Sequence, residues 1–332
     1  MNHGEHPKEL EKHMRKRFRL LAAPAAAICA CGAFALAARA ETPRLAPAKA
    51  PAIRVMDWNV RYSAGDRKSP HNNWENRRDD FARAIERESP DLIAFQEVLP
   101  DQRKFLEERF AAYDFTGEGR NADRKSGESS PVAWRRNRFT LIDCGSFWLS
   151  ETPDVPGSKS WGAMFPRICS YAVLRDKATG KRFSFANTHT DHKSELAREK
   201  GMLLIIERMK KFGQGAPIIF TGDHNCLEFE KPAIAVSKLL KDALYLSKSA
   251  PQGPWRTCNH WAWREKETTI AEALSMPREK RSARGDDAEH IDYIYVSPGT
   301  KVLDYRIVAT PRPGTKHYAS DHFSLVSTII LP

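Results

Sequence analysis

Several carboxylate, amide and imidazole side chains interrupt or directly adjoin the apolar segments of this sequence. They are Asn59, Glu97, His189, Asp223 with Asn225, Asp292, and Asp321 with His322. One buried polar group is most often a satisfied core residue or part of a turn, because burial without a partner costs several kcal/mol. A whole series in the same placement is better explained if the strand ends converge on one pocket.

The residue types define the chemistry that such a pocket could perform. Its oxygen donors are of the kind that Mg²⁺ and Mn²⁺ prefer: Asn59, Glu97, Asp223 and Asp321. The imidazoles of His189 and His322 could exchange protons or hydrogen bonds with oxygen atoms near neutral pH. The carboxylate of Asp292 could hold one imidazole in a defined tautomer. The set fits metal-assisted attack of water on a phosphate ester.

Other catalytic signatures are missing from the sequence. It contains no G-x-S-x-G nucleophile motif, no P-loop and no Rossmann glycine pattern. Cys226 lies beside the candidate residues, but nothing nearby marks it as an activated thiolate.

Apolar periodicity predicts the elements that position these side chains. Strands are predicted at 52–62, 91–98, 131–136, 139–150, 167–190 (a hairpin turning at 178–180), 216–225, 290–298, 301–308 and 322–331. Amphipathic helices are predicted at 74–89, 100–110, 194–212 and 231–244. This order predicts one α/β domain with mixed or antiparallel sheets and helices outside.

The first 52 residues differ in composition from the rest. A basic segment precedes an apolar stretch over 20–38, and Ala38-Arg39-Ala40 matches a signal peptidase site. We predict a secretory signal at 1–40, a Pro/Ala-rich linker at 41–52 and the domain at 53–332. The protein is then periplasmic or secreted, without stable membrane association after cleavage. An uncleaved membrane anchor is the alternative.

Charge and cysteine content constrain partners only weakly. The formal net charge is +11, which is compatible with a phosphate-bearing partner. After the signal, the cysteines are Cys144, Cys169, Cys226 and Cys258, which allow three pairings into two disulfides. The paired C-x-x-C spacing of a structural zinc site is absent.

Six stretches in this order resemble the endonuclease/exonuclease/phosphatase superfamily, the deoxyribonuclease I-like proteins. They are "DWNVRY", "LIAFQEV", "SFANTHTDH", "IIFTGDHN", "HIDYIYVS" and "SDHFSLV", from about residue 53 to the C-terminus. "WENRRDD", "FWLSETPDVPGSKSW" and "PRICSYA" resemble a bacterial, often exported subgroup, and the arrangement is similar to the deadenylase-type branch. The resemblance implies a four-layer sandwich, with two mostly antiparallel sheets packed face to face and helices on the outside.

The resemblance also implies roles around a metal ion, Mg²⁺ or Mn²⁺. Glu97 would be the principal ligand, with Asn59 close to the metal and the phosphate, and Asp321 would assist metal binding. Asp223 would orient or deprotonate the attacking water. Asn225 would donate a hydrogen bond to the phosphate.

Further roles concern the phosphate and its surroundings. His322, paired with Asp292, would contact the scissile phosphate and stabilise its developing charge. His189 would be a second phosphate-contacting imidazole, with Glu128 supporting it. Arg167 would contact the phosphate or the substrate.

Three residues depart from the family pattern without removing a chemical group. His224 stands where phenylalanine is usual, His290 replaces a common arginine, and Thr190 replaces a leucine. His224 is expected either to face solvent or to line the pocket. The resemblance also brings Cys258 near the site, so a Cys226–Cys258 disulfide is one hypothesis.

The resemblance implies a monomeric phosphodiesterase, and a nuclease of the 3′-to-5′ RNA exonuclease type is the first expectation. Four tryptophans could stack nucleic-acid bases or could simply be core: Trp74, Trp255, Trp261 and Trp263. A hydrolase of phospholipid, sphingomyelin, or sugar or inositol phosphates is the alternative. An exported, catalytically inactive binding module is the non-enzyme alternative.

Overall fold

Two six-stranded sheets form the centre of the fold in the computed structural model, which describes residues 45–46, 48–282 and 289–332. The predicted signal at 1–40 and the first part of the predicted linker lie outside the described residues. No helix within the described ranges is long and apolar enough to cross a membrane.

The first sheet has the order β11-β12-β1-β2-β4-β3. Its strands are β1 (Ile53–Asn59), β2 (Leu92–Gln96), β3 (Tyr113–Thr116), β4 (Val132–Arg135), β11 (Lys301–Val308) and β12 (Ser324–Ile330). Only β1 and β2 run parallel among its pairs. Strand β3 was not predicted from the sequence.

The second sheet has the order β5-β6-β7-β8-β10-β9. Its strands are β5 (Phe139–Trp148), β6 (Ile168–Asp176), β7 (Arg182–His189), β8 (Ile218–Asp223), β9 (Lys241–Asp242) and β10 (Asp292–Val296). Here β7 and β8 form the parallel pair, and the other neighbours are antiparallel. Both sheets are therefore mixed but mostly antiparallel, as the sequence predicted.

Side-chain alternation along the strands builds the layers. Val55 of β1 packs between the two sheets with Phe185 and Ile294 of the second sheet, whereas its neighbour Met56 packs on the outside against α1. On the far side, α3 covers the second sheet through residues such as Ile205. The result is the predicted four-layer sandwich with helices outside.

The described helices lie between the strands and carry recognisable end signals. They are α1 (Trp74–Glu88), α2 (Pro100–Arg109), α3 (Glu195–Phe212), α4 (Lys231–Ser237), α5 (Ala243–Leu246) and α6 (Ile270–Leu274). The side chains of Asn73 and Ser194 cap α1 and α3 by accepting hydrogen bonds from backbone N–H groups.

The single helix predicted at 231–244 is wrong. Helix α4 ends at Ser237, Lys241–Asp242 pairs with β10 as β9, and α5 begins at Ala243. The side chain of Asp242 accepts a hydrogen bond from Leu244 N, so it caps a new helix instead of continuing the old one.

Candidate active site

The predicted site residues meet at one edge of the sandwich because of the strand directions. In the parallel pair β1/β2, Asn59 ends its strand beside Gln96, and Glu97 follows directly. In the parallel pair β7/β8, His189 is opposite Asp223, and antiparallel β10 places Asp292 opposite the same aspartate. These ends lie in facing sheets, so the side chains converge across the gap between them.

Asn59 joins the two halves of this cluster. Its Nδ2 donates to Glu97 Oε1 at 3.1 Å and to Asp223 Oδ2 at 3.0 Å, while its Oδ1 accepts from Arg61 N. Asn59 thereby fixes the positions of the two carboxylates relative to each other. Glu97 has a φ of 61° and accepts from Tyr62 N, a strained backbone of the kind found at functional sites.

Asp223 lies at the centre of the cluster. Its Oδ2 is 3.6 Å from His189 Nε2 and 3.8 Å from His322 Nε2, and its Oδ1 accepts from Asn225 N at 3.0 Å. Burial and the negative charge of Asp292 raise the pKa of Asp223 to about 7. A carboxyl group with such a pKa is suited to accept a proton near neutral pH.

His322 and Asp292 form a buried pair. Asp292 Oδ2 lies 2.9 Å from His322 Nδ1, which fixes the ring tautomer and leaves Nε2 toward Asp223. Burial opposes the charged ring, but Asp292 and then Cys258 outweigh it and raise the pKa of His322 well above its usual value. The imidazole is therefore a cation at neutral pH.

His189 has the opposite electrostatic state. Burial and the nearby Arg167 and Arg120 lower the pKa of His189 well below its usual value, so the ring is neutral. Glu128 Oε2 is 3.9 Å from His189 Nδ1, too far for a hydrogen bond, and it pairs instead with Arg120 at 2.9 Å. His189 Nδ1 has no hydrogen-bond partner among the described residues.

The remaining predicted residues lie around the cluster. Asn225 donates its side-chain N–H to Thr190 O at 3.1 Å. Arg167 is buried, with Nη2 3.0 Å from His192 Nδ1.

Arg61 was not predicted and adds a cation to this edge. Its Nη1 lies 3.5 Å from Asp321 Oδ2, and its Nε donates to Asp66 at 2.8 Å. Its position two residues after Asn59 in "DWNVRY" was the available signal. Arg120 was also missed, because only the folded loop brings it to Glu128.

The structure decides between the alternatives left open for His224 and for the four tryptophans. Both expectations for His224 are wrong: it neither faces solvent nor lines the pocket, since it is fully buried and stacks on Tyr295 with 5.6 Å between ring centroids. Trp74 and Trp255 are buried core residues and cannot stack bases, whereas Trp261 and Trp263 are half-buried.

The Cys226–Cys258 disulfide is also wrong. None of the four cysteines in the described part of the chain forms a disulfide. Cys226 packs in the apolar cluster under α3, whereas Cys258 contacts the ring of His260. The two thiols therefore lie in different environments.

The donor set fits a divalent cation. One ligand atom each of Glu97, His189 and Asp223 lies within 4.8 Å of the others. Burial raises the pKa of Asp321. The charge of His322 lowers it and the charge of Glu97 raises it, and the net shift is upward. Carboxylates confined so closely repel one another, and a divalent cation would relieve this repulsion while using the oxygen donors that Mg²⁺ and Mn²⁺ prefer.

Comparison with known proteins identifies the family. The model of the Endonuclease/Exonuclease/phosphatase family matches residues 58–322. A protein of Acanthamoeba polyphaga mimivirus is 34% identical over 161 residues, which cover 46% of this chain and 59% of that protein. The chain thus spans little more than half the length of this curated relative.

Solved structures agree with this match. An endonuclease/exonuclease/phosphatase from Bacteroides vulgatus is 30% identical, with a TM-score of 0.73 over 85% of this chain and 99% of that one. A mannosyl-6-phosphatase from Bacteroides thetaiotaomicron is 30% identical, with a TM-score of 0.72 over 84% and 100% of the two chains.

The human Nocturnin catalytic domain with a bound sulfate shares the fold, at 21% identity and a TM-score of 0.61 over 86% of this chain and 96% of that one. The family match covers most of the chain and includes the strand ends that carry the polar cluster. The chain belongs to the endonuclease/exonuclease/phosphatase family.

Proposed function

We propose that this protein is a hydrolase that removes the terminal phosphate of a sugar phosphate, using Mg²⁺ or Mn²⁺. The observation that carries the proposal is the arrangement of positive groups around Asp223. The imidazolium of His322 lies 3.8 Å away, and His189 lies next to the guanidinium of Arg167. A phosphomonoester carries more negative charge than a diester, and guanidinium and imidazolium groups bind such charge strongly.

Each residue of the cluster has a separate role in the proposed reaction. Asp223 Oδ2 accepts the proton of the attacking water, consistent with its pKa of about 7. The charged ring of His322, held by Asp292, stabilises the developing negative charge on the phosphoryl oxygens. Glu97 and the neighbouring carboxylates would hold a divalent cation, which would supply Lewis-acid polarisation of the phosphate.

The sugar part of the proposal rests on two observations. The mannosyl-6-phosphatase is 30% identical and is spanned completely by this chain. In addition, two of the four tryptophans considered for base stacking are buried core residues. Both favour a compact monoester over a nucleic-acid strand and displace the first expectation of a 3′-to-5′ RNA exonuclease.

A nuclease is the second candidate. Trp261 and Trp263 retain exposed surface, and Lys316 Nζ lies 4.3 Å from the ring centroid of Trp263. An aromatic ring beside a cation is a common platform for single-stranded nucleic acid.

The test compares initial rates on mannose 6-phosphate, mannose 1-phosphate and a single-stranded RNA oligonucleotide, each with Mg²⁺ or Mn²⁺. We expect phosphate release from the 6-phosphate to have the highest kcat/KM by at least tenfold. Asp223→Asn should abolish it, and the exposed Glu151→Gln should not. A higher kcat/KM on RNA that also depends on Asp223 would establish the nuclease instead.

We also propose that residues 1–40 direct export and are removed. The basic, apolar and Ala-x-Ala segments support this proposal. Mass spectrometry of the tagged protein from a bacterial host should give an N-terminus at Glu41. If the protein were found in the membrane fraction with residue 1 still present, the uncleaved membrane anchor would be favoured.

A further inference from the structure

A second cluster of ligand side chains lies beside the catalytic residues but contains none of them. Cys258 Sγ is 3.5 Å from Nδ1 and 3.6 Å from Nε2 of His260, and the same Nε2 is 3.3 Å from Glu289 Oε2. One ligand atom from each of the three residues lies within 4.8 Å of the other two. We propose that Cys258, His260 and Glu289 form a binding site for Zn²⁺ distinct from the catalytic metal site.

The distances already match those of a tetrahedral zinc centre. Bonds of about 2.3 Å to sulfur, about 2.0 Å to nitrogen and about 2.1 Å to oxygen place sulfur about 3.5 Å from nitrogen, and nitrogen about 3.4 Å from oxygen. The observed separations to His260 Nε2 are 3.6 Å for sulfur and 3.3 Å for oxygen. Sulfur also lies 3.5 Å from Nδ1, so the exposed His260 ring would have to turn for an ion on Nε2 to lie in the ring plane.

The ligand types select zinc over the catalytic metal. A thiolate and an imidazole are ligands that Zn²⁺ favours, whereas the oxygen-rich cluster around Glu97 suits Mg²⁺ or Mn²⁺. Binding converts the Cys258 thiol to a thiolate and releases its proton to solvent. Water completes the four-coordinate shell.

The backbone holds the three ligands in place before any ion binds. Glu289 O accepts hydrogen bonds from the N–H groups of Thr257 and Cys258 at 2.9 and 3.2 Å. These bonds fix the segment that carries Glu289 against the segment that carries Cys258. His260 N donates to Asp321 O at 3.1 Å. Preorganisation of this kind reduces the ordering cost of binding.

The site has a route for the ion. Cys258 is buried, but the side chain of His260 is 48% exposed, so the cluster opens to solvent on the imidazole side. The sequence did not reveal this site, because the paired cysteines of a structural zinc motif are absent from it. Cys258 and His260 are two residues apart, and the third ligand comes from a distant segment that the fold brings close.

The location gives the ion a consequence for catalysis. Cys258 forms an antiparallel bridge with His322, so a zinc ion on its sulfur adds positive charge beside the catalytic imidazole. We expect Zn²⁺ to inhibit phosphate release at saturating Mg²⁺. This consequence rests on the proposed phosphatase function, whereas zinc binding itself does not.

The test measures metal content and Co²⁺ absorbance of the full chain with excess Mg²⁺ present. Wild type should retain one Zn²⁺ per chain, and its Co²⁺ form should show a thiolate-to-cobalt charge-transfer band. Cys258→Ser and His260→Ala should each weaken zinc binding at least tenfold, and Cys258→Ser should lose the band. The exposed Cys144→Ser is the matched control and should behave as wild type.

Three outcomes separate this site from the proposed function. Zinc affinity in His260→Ala equal to that of wild type would overturn the proposal, and this exposed position avoids the risk of misfolding. A charge-transfer band that persists in Glu97→Gln would support a site separate from the catalytic metal, even if no substrate were hydrolysed. Its loss in that variant would overturn the proposal.

Discussion

At the scale of single residues, the site depends on one carboxylate between two imidazoles in opposite charge states. His322 is held as a cation by Asp292, while His189 is held neutral by burial and by Arg167. The sequence predicted these residues because polar groups at strand ends are conspicuous. It could not predict their charge states or the roles of Arg61 and Arg120, which depend on contacts between loops.

Asp292→Asn tests this charge assignment. The pKa of His322 is raised, so the ring stays protonated at neutral pH. Activity that needs the charged ring is lost when the pH rises through this raised pKa. Removing the carboxylate lowers the pKa, so we expect the alkaline limb of the kcat profile to move to lower pH. At pH 7 kcat should fall about 10²-fold. A reduced kcat with an unmoved alkaline limb would contradict a charged His322.

At the scale of elements, the end of β8 contains a glycine that the backbone requires, Gly222, and a histidine that is fully buried, His224. Gly222 has a φ of 147°, and a Cβ there would lie 2.0 Å from Thr188 O of the parallel strand β7, so no other residue fits. The sequence indicated a site at Asp223. It did not reveal that His224 turns inward, because the aromatic cluster that receives it comes from β10.

His224→Phe should stabilise the protein. Neither ring nitrogen of His224 has a hydrogen-bond partner in the described part of the chain, and burial lowers the pKa of His224 to about 3. Because the folded state binds fewer protons than the unfolded state, stability falls as pH decreases from about 6.5 toward 3. We expect the variant to gain about 1 kcal/mol at pH 8 and about 2 kcal/mol more at pH 5.

Chemical denaturation at the two pH values measures this gain. The exposed His71→Phe is the control and should change stability little at either pH. Equal stability of His224→Phe and wild type at pH 5 would show that the buried ring is not a source of acid sensitivity.

At the scale of the whole molecule, buried hydrogen bonds join the two sheets behind the site. Gln96 Nε2 donates to Asp57 Oδ1 of its own sheet and to Asn187 Oδ1 of the other, both at 2.7 Å. Asn187 Nδ2 returns a hydrogen bond to Phe95 O at 2.7 Å. The layered fold was predictable from strand periodicity. This link was not, because its members lie far apart in sequence and look like ordinary strand residues.

Asn187→Ala should therefore weaken both the fold and the site. It removes the hydrogen bonds that Asn187 makes to Gln96, Phe95 O and Pro131 O of the first sheet, so we expect a loss of about 3 kcal/mol in the free energy of unfolding. The rate should also fall, because Gln96 directly precedes Glu97. Urea denaturation with the exposed Asn137→Ala as control measures the first effect. A loss below 1 kcal/mol would contradict a structural role for this link.

The most direct test of the central claim is the Mg²⁺ dependence of phosphate release from mannose 6-phosphate. Wild type freed of metal by a chelator should be inactive and should regain full activity when Mg²⁺ is added. Glu97→Gln should remain at least 10²-fold slower at any Mg²⁺ concentration, whereas Glu151→Gln should match wild type. Metal-independent hydrolysis, or a Glu97→Gln rate equal to that of wild type, would contradict a metal-dependent phosphatase site at these strand ends.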